Sequence, residues 1–267
     1  MPTKQSQQNA GTAMTSVSRS HRSGTLYVVA VPIGHPDDVT VRALRVLSTV
    51  DLIASEDPKV TQQLLMHHSI RATMTSYGPR NLQEKVAVLL QRLQHGIDVA
   101  FVSDCGSPLI SDPGHLLVAA AHTHGIPVVP VPGPSAIIAA LTAAGLPCDS
   151  FYFLGHLPSV SSRITQCLLD SLKRNGPTVA FCTGTVVARI LKTLGDIAPH
   201  CSVVVAYDLT KPNEHIIRGT ACEVSKKLGS TRGRDVTLVL AGKDGTESED
   251  QDMRRAQSLS SRRIKTR

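Results

Sequence analysis

Two hydrophobic rhythms alternate along this chain. Short unbroken apolar runs at Leu26–Val31 (LYVVAV), Leu52–Ser55, Val99–Ser103 and Val128–Val131 have the length and β-branched content of buried strands. Between them lie stretches with apolar residues near 3.6 spacing, the signature of helices with one buried face. Val41, Leu44, Leu47 and Val50 mark the first helix, with Asp37 or Asp38 placed to cap it. Thr61–His67, Asn81–His95, Leu116–His124 and Ser135–Ala144 predict further helices. Gly96 and Gly125 follow two of these, where a helix end favours a residue that tolerates positive φ. After Gly145-Leu146-Pro147 the rhythm restarts. Strands are expected at Phe151–Leu154, Val179–Cys182, Val203–Tyr207 and Val236–Ala241, and helices at Arg163–Lys173, Val186–Leu194 and Ala221–Leu228.

Strand–helix alternation predicts an α/β fold with a mostly parallel sheet. The restart divides the chain into two α/β domains, 25–147 and 148–242, between disordered tails at 1–24 and 243–267. Right-handed crossovers bring the C-terminal ends of parallel strands to one edge of a sheet. The loops due at that edge are PIGHPDD, SEDP, SDCGSPLISDPG and PVPGPSA. Ligands of open α/β sheets bind there.

Composition narrows the chemistry. Aromatics make up 3% of the 267 residues and Trp is absent, so base-stacking platforms cannot be a main binding device. The net charge of +7 lies mostly outside the expected fold. Residues 1–24 carry Lys4, Arg19 and Arg22 without an acid, and 253–267 carry six cations without an acid. Between body and tail, Lys243–Asp252 holds five carboxylates against one lysine. Residues 25–242 are left near +2. The basic ends fit either solvated disorder or sequence-blind affinity for phosphate. The N-terminus, free of acid up to Asp37, fits a disordered extension or an organelle transit peptide. Six cysteines without C-x-x-C spacing predict reduced thiols in a cytoplasmic protein and no metal site. No apolar run reaches the ~18 residues of a membrane span.

Four loops carry the candidate chemistry. In Ser103–Gly114 a buried strand ends in Asp104, followed by Gly106, which lets backbone amides approach a ligand, and Ser107. Asp104 reads as a ligand acceptor or a turn residue, and Asp112 as a functional carboxylate or the cap of the next helix, with Pro113 in its first turn. In Pro130–Ala136 three prolines stiffen the chain around Gly133 before a helix N-terminus; this is an anion seat or a rigid turn. The PIGHPDD loop lacks the Walker spacing, and no G-x-G-x-x-G occurs, so nucleoside triphosphate and nicotinamide chemistry lack their usual loops. Glu56 and Asp57 beside Lys59 offer a general base, or a helix start capped by Asp57. Cys105 has no histidine placed to activate it, and His67, His68, His122 and His124 read as surface or helix-end residues.

The strings LYVVAVPIGHPDDVTVRALRVLSTVDLIASED, VSDCGSPLISDPG, VVPVPGPSAIIAALTAAGLP and FLGHLP, in this order and spacing, resemble the tetrapyrrole-methylase superfamily. They are most similar to its bacterial small-subunit rRNA 2′-O-ribose cytidine methyltransferase branch. That resemblance implies S-adenosylmethionine as methyl donor, held in a cleft between the two domains, ribosomal RNA or the small subunit as partner, and a homodimer. It implies donor contacts from Asp104, Gly106 and Ser107, from Pro132, Gly133, Pro134 and Ser135, and from Leu141, Thr142 and Ala143. Tyr207, Ala241 and Gly242 would complete the pocket, and the PIGHPDD and SED segments would face the acceptor.

Departures from the family pattern cluster on that acceptor side. Glu56-Asp57-Pro58-Lys59 stands where the family has Glu-Asp-Thr-Arg, Gly34-His35 where it has Gly-Asn, and Tyr207-Asp208 where it has Arg-Glu. A Tyr-Glu segment is replaced by Phe181–Thr185, and an additional C-terminal helical region is lacking. In this reading Glu56 or Asp57 takes the proton of a ribose hydroxyl, and Lys59 holds a phosphate or lowers a hydroxyl pKa. Two alternatives remain open: methylation of a tetrapyrrole or other small acceptor, and a non-catalytic donor-binding or RNA-associated protein.

Overall fold

The computed structural model describes residues 22–78, 80 and 82–243. The expected tails fall outside those residues except for 22–24 and Lys243. Gly24 already belongs to the packed body, since its amide donates to Leu93 O at 2.7 Å.

The first sheet is wholly parallel. Its strands are β1 (Leu26–Val29), β2 (Leu52–Ser55), β3 (Met74–Ser76), β4 (Val99–Val102) and β5 (Val128–Val131), in the order β3-β2-β4-β1-β5. Alternate strand residues face opposite sides. Val99 and Phe101 pack with α3 (Leu82–Gln94) and α4 (His115–Thr123), through Leu89, Leu93, Leu117 and Ala121. Ala100 and Val102 pack with α1 (Val41–Thr49) and α2 (Pro58–His67), through Ala43, Leu47 and Leu65. The central strands therefore read as continuous apolar runs because both faces are covered.

Two expected caps are corrected. Asp37 and Asp38 form a 3-10 turn with Pro36, and Thr40 caps α1, accepting from the Ala43 amide at 3.1 Å. Asp112 does not cap α4. Gly114 occupies that position at φ 135°, and a Cβ there would meet the Phe101 ring at 2.5 Å, so Pro113 lies outside the helix.

The second sheet, β6-β7-β10-β8-β9, differs from the parallel expectation. Its strands are β6 (Tyr152–His156), β7 (Thr178–Thr183), β8 (Ser202–Tyr207), β9 (His215–Thr220) and β10 (Asp235–Leu240). Only β6 and β7 pair in parallel; β10 runs antiparallel to β7 and β8, and β8 and β9 form a hairpin. Its helices are α6 (Ser161–Leu172), α7 (Val187–Ile197) and α8 (Ala221–Lys227). The α5 helix (Ala136–Ala144) precedes the sequence boundary near 147, yet its Ile137, Ala140, Leu141 and Ala144 share one core with the second sheet. Its composition, AIIAALTAA, suits a helix pressed between layers.

This topology locates the crevice. The chain leaves β1 toward one face, through α1, and leaves β4 toward the other, through α4. Adjacent strands with diverging connections open a gap at their C-terminal ends. Val31–His35 and Ser103–Gly106 border that gap, tied by Val31 N–H to Gly106 O at 2.9 Å.

Candidate functional site

A cleft of about 640 Å³ occupies this switch point. Val31–Gly34 and Ser103–Cys105 form one side, and Val60, Thr61, Leu64 and His67 of α2 form another. The second half closes it with Ala206, Asp208, Leu209 and Lys211 after β8, and with Asp235 and Thr237 of β10. Asp104, Asp208 and Asp235 give the cleft three carboxylates, against the Lys211 ammonium.

The walls are held by specific bonds. Gly106 takes φ 76°, and its Cβ position lies 3.2 Å from Ile33 Cγ2, so this turn suits glycine. The Ser107 hydroxyl donates to Pro134 O at 3.2 Å, joining the two Gly/Pro-rich loops. Gly34 packs against the opposite half. A Cβ on it would lie 2.5 Å from Leu209 O, and the neighbouring His35 amide donates to Thr210 Oγ1 at 2.8 Å. That loop holds Asp208 at φ 53° and Thr210 at φ 63°, conformations that cost non-glycine residues energy. Arg234 compensates by binding the Asp208 carboxylate while lying over the Tyr207 ring. At the mouth, His67 Nε2 donates to Asp37 Oδ1 at 2.9 Å and His68 Nε2 donates to Pro36 O at 3.1 Å, clamping the 3-10 turn to α2. The His67 bond holds the Asp37 carboxyl below its ordinary range.

Three carboxylates gather where β2 and β4 end. Asp104 Oδ1 accepts the Asp57 amide at 2.8 Å. Burial, then the charges of Asp104 and Asp112, push the Glu56 carboxyl up. Burial also raises Asp112, against the lowering effect of a Ser103 hydrogen bond.

Comparison with known proteins accords with this geometry. Residues 25–225 match the family described as Tetrapyrrole (Corrin/Porphyrin) Methylases. A protein of Escherichia coli O157:H7 named Ribosomal RNA small subunit methyltransferase I is 40% identical over 239 residues, covering 87% of this chain and 82% of its own. The chain belongs to the tetrapyrrole methylase family. A relative of the same name from Synechocystis is 42% identical, with 82% of this chain and 79% of that one covered. Among solved structures, a cobalt precorrin-4 methyltransferase aligns with TM-score 0.60 at 23% identity, over 85% of this chain and 98% of its own. A uroporphyrin-III C-methyltransferase of Thermus thermophilus, solved with S-adenyl homocysteine, aligns with TM-score 0.56 at 19% identity, over 81% and 97%. These two likenesses concern the fold.

Within this family frame, the expected site residues separate spatially. Asp104 lines the cleft, and Gly106 and Ser107 shape the loop beside it. Pro132, Gly133, Pro134 and Ser135 form the partner loop, whose Gly133 packs 3.0 Å from Ala30 Cβ when a Cβ is placed on it. The next residue, Ala136, reaches the cleft wall. Leu141 is buried in the second core, the Thr142 hydroxyl is spent on Ala139 O at 2.9 Å, and Ala143 is exposed. Tyr207 is buried beneath the cleft, its ring stacked on His215 at 4.9 Å, while Ala206 and Asp208 flank it in the wall. Ala241 and Gly242 lie at the other end of β10, bordering a separate pocket of about 110 Å³ with Leu146 and Pro147. Glu56, Asp57 and Lys59 are not among the residues that line the cleft, though the Asp57 amide bonds Asp104 in its wall: Glu56 is half-buried, Asp57 caps α2 by accepting the Lys59 amide at 2.9 Å, and Lys59 is exposed.

Sequence reasoning did not select Lys211, Asp208 or Asp235 for the wall, nor the α2 face. The strand-end positions of Asp208 and Asp235 were the available signal. Cys105 also lines the cleft. The residue is exposed overall, yet its sulfur sits against Ile33 O at 3.5 Å, and desolvation pushes the thiol up, which disfavours the nucleophilic thiolate.

Proposed function

We propose that this protein transfers the methyl group of S-adenosylmethionine to a ribose 2′-hydroxyl of small-subunit ribosomal RNA. The observation that carries the proposal is Asp104 in the wall of a cleft at the switch point, on a glycine turn stitched to the Pro132–Ser135 loop. The cleft volume falls within the roughly 300–1,000 Å³ usual for cofactor sites. Asp104 and Asp235 suit a ligand carrying a sulfonium and an ammonium, while Asp208 is taken by Arg234 and Lys211, 4.0 Å from Asp208 Oδ1, can turn to that ligand's carboxylate. When bound, the donor supplies a methyl group already activated toward displacement.

The chain's own task is then positioning and proton removal. Asp104 is placed to accept from the donor's hydroxyl or amino groups. Gly106 and Ser107 keep the loop low enough for close approach. Glu56, raised by burial, is the better proton acceptor, because the Asp57 carboxylate is spent on capping α2. With the donor bound, the Glu56 carboxylate would take the hydroxyl proton as that oxygen receives the methyl group. Lys59, exposed at the first turn of α2, is available for an RNA phosphate.

The relatives' names and the 40% identity support the RNA acceptor. The same reading includes a homodimer acting in the cytoplasm without a metal. Among the described residues no helix is long and apolar enough to cross a membrane. The test uses the purified full chain, radiolabelled donor and small ribosomal subunits from cells lacking this protein, followed by mass-spectrometric mapping. Restoration of one lost ribose mark supports the proposal. Donor binding with transfer only to a porphyrinoid overturns the RNA acceptor, and donor binding without any transfer overturns the enzymatic reading.

A further inference from the structure

We infer that a second groove, beside the cleft on the same end of the second sheet, seats the RNA backbone flanking the target nucleotide. This inference rests on the RNA-methylating reading above. The groove measures about 520 Å³ and is walled by Gly184, Thr185, Ser225, Ser230, Thr231 and Arg232.

Charge points to the ligand class. From Val224 to Arg234 the chain holds Lys226, Lys227, Arg232 and Arg234 and no carboxylate. Arg234 is committed to Asp208. Lys226, Lys227 and Arg232 are exposed and form no salt bridge among the described residues. Lys226 and Lys227 lie in the last turn of α8, between the groove residues Ser225 and Leu228. Residues 25–242 are near neutral overall, so three exposed cations within seven positions, two of them near the Glu223 carboxylate, leave a local excess of positive charge. The exposed Ser230 hydroxyl adds a donor of the kind that holds phosphate oxygens, beside a Thr185 hydroxyl that shares a 3.0 Å hydrogen bond with Thr183. Among the described residues no aromatic side chain lines the groove, which favours contact with the backbone over stacked bases.

The groove is also preformed and lies near the cleft. The Gly184 amide donates to Arg234 O at 3.0 Å, the Thr231 hydroxyl donates to Gly184 O at 2.7 Å, and the Arg234 amide donates to Thr231 O at 3.1 Å. A Cβ on Gly184 would overlap the Thr231 carbonyl, so the two loops meet backbone to backbone. Such bracing lowers the ordering cost of binding. The chain runs from Arg232 at the groove to Asp235 in the cleft wall within three residues. A strand lying in the groove therefore passes close to the cleft.

The test compares the wild-type chain with Lys226→Gln/Lys227→Gln/Arg232→Gln and with a control, Arg92→Gln/Lys173→Gln, at the ends of α3 and α6 that lead into the starts of β4 and β7. Binding of a fluorescein-labelled single-stranded RNA carrying the mapped target sequence is measured from about 0.05 to 0.3 M KCl, with methyl transfer to small subunits and donor titration in parallel. Each lost single-strand phosphate contact lowers the log–log salt slope by ~0.7. The triple variant is expected to lose about 2 from that slope, to bind RNA at least ~10-fold more weakly at the low-salt end, and to keep its donor affinity; the control matches wild type. A triple variant with wild-type slope and transfer overturns the groove while leaving the methylase reading intact. A wild-type chain that transfers to no RNA overturns that reading, and the groove with it.

Discussion

The Asp57 amide donates to the Asp104 carboxylate at 2.8 Å, joining the end of β2 to the end of β4. The bond holds Asp104 at the cleft wall and leaves its second oxygen for a ligand. Asp104→Asn weakens this charge-assisted bond without changing side-chain size. We expect a stability loss of about 1–2 kcal/mol by urea titration and a fall in donor affinity of at least ~10-fold. Unchanged donor affinity would remove Asp104 from the donor site.

Asp112 tunes its neighbour. Its charge is one cause of the raised Glu56 carboxyl, after burial and Asp104. In Asp112→Asn the acidic limb of the pH–rate profile should therefore move to lower pH, with the plateau rate retained. Stability gives an independent sign. The folded Asp112 carboxyl is raised above 3.8, so it favours folding fully below that value, and the contribution is lost as pH rises through the elevated folded value. The Asn variant escapes that loss. It should gain stability relative to wild type across this interval, and an equal or falling difference would contradict the burial of Asp112.

Glu56 and Asp57 were equivalent candidates in the sequence, and their surroundings now separate them. Asp57 caps α2, a task asparagine performs as well, whereas alanine costs about 1 kcal/mol. Asp57→Asn should keep stability and most turnover, and Asp57→Ala should lose stability. Glu56→Gln should lose turnover by at least ~100-fold, the usual scale of a positioned base, with donor affinity kept. Loss of turnover in Asp57→Asn instead would move the base to Asp57.

These contrasts show where local pattern suffices. β2 coincides with its apolar run because both faces are buried, and β5 coincides with its run although it is an edge strand with Pro130 exposed. β3 was missed, being three residues long and only partly buried. β9 was missed because its HIIRGT sequence lies at a sheet edge and leaves most residues exposed or half-exposed. The parallel expectation failed for the second sheet because missing β9 hid the β8–β9 hairpin and because the Val236–Tyr207 register depends on contacts distant in sequence. That register is also what carries Asp208 and Asp235 to the cleft. Asp104 was legible because a carboxylate and a glycine follow an apolar strand directly. The cap assigned to Asp112 failed because Phe101, across the core, demands glycine at position 114.

Gly34 is where the two halves meet most tightly. An added methyl would lie 2.5 Å from Leu209 O and 2.6 Å from Thr210 Oγ1. Backbone on one side leaves little room to yield, so Gly34→Ala should cost about 1–3 kcal/mol. It should also pull the His35 amide from Thr210 and widen the cleft. Donor affinity should then fall more than for a distant substitution of equal cost, such as Leu89→Ala tested at a temperature giving the same folded fraction. Equal donor affinities would show that this contact is structural alone.

Arg234 and Asp208 form the other brace of the same loop. Asp208 has 15% of its side chain exposed and a positive φ, so its ion pair offsets both desolvation and backbone strain. Removing Arg234 alone leaves a partly buried carboxylate with only the more exposed Lys211 ammonium at 4.0 Å, which should cost more than removing both partners. Arg234→Leu is expected to lose about 2–3 kcal/mol, discounted from the fully buried case because the guanidinium is 32% exposed. Adding Asp208→Asn should recover roughly 1 kcal/mol of that loss. Asn also accepts positive φ more readily than other residues, which favours the recovery. A double-mutant cycle in urea checks the coupling. Strict additivity would mean that the pair contributes nothing jointly, and that the Asp208 turn is held by Thr210 and Glu214 instead.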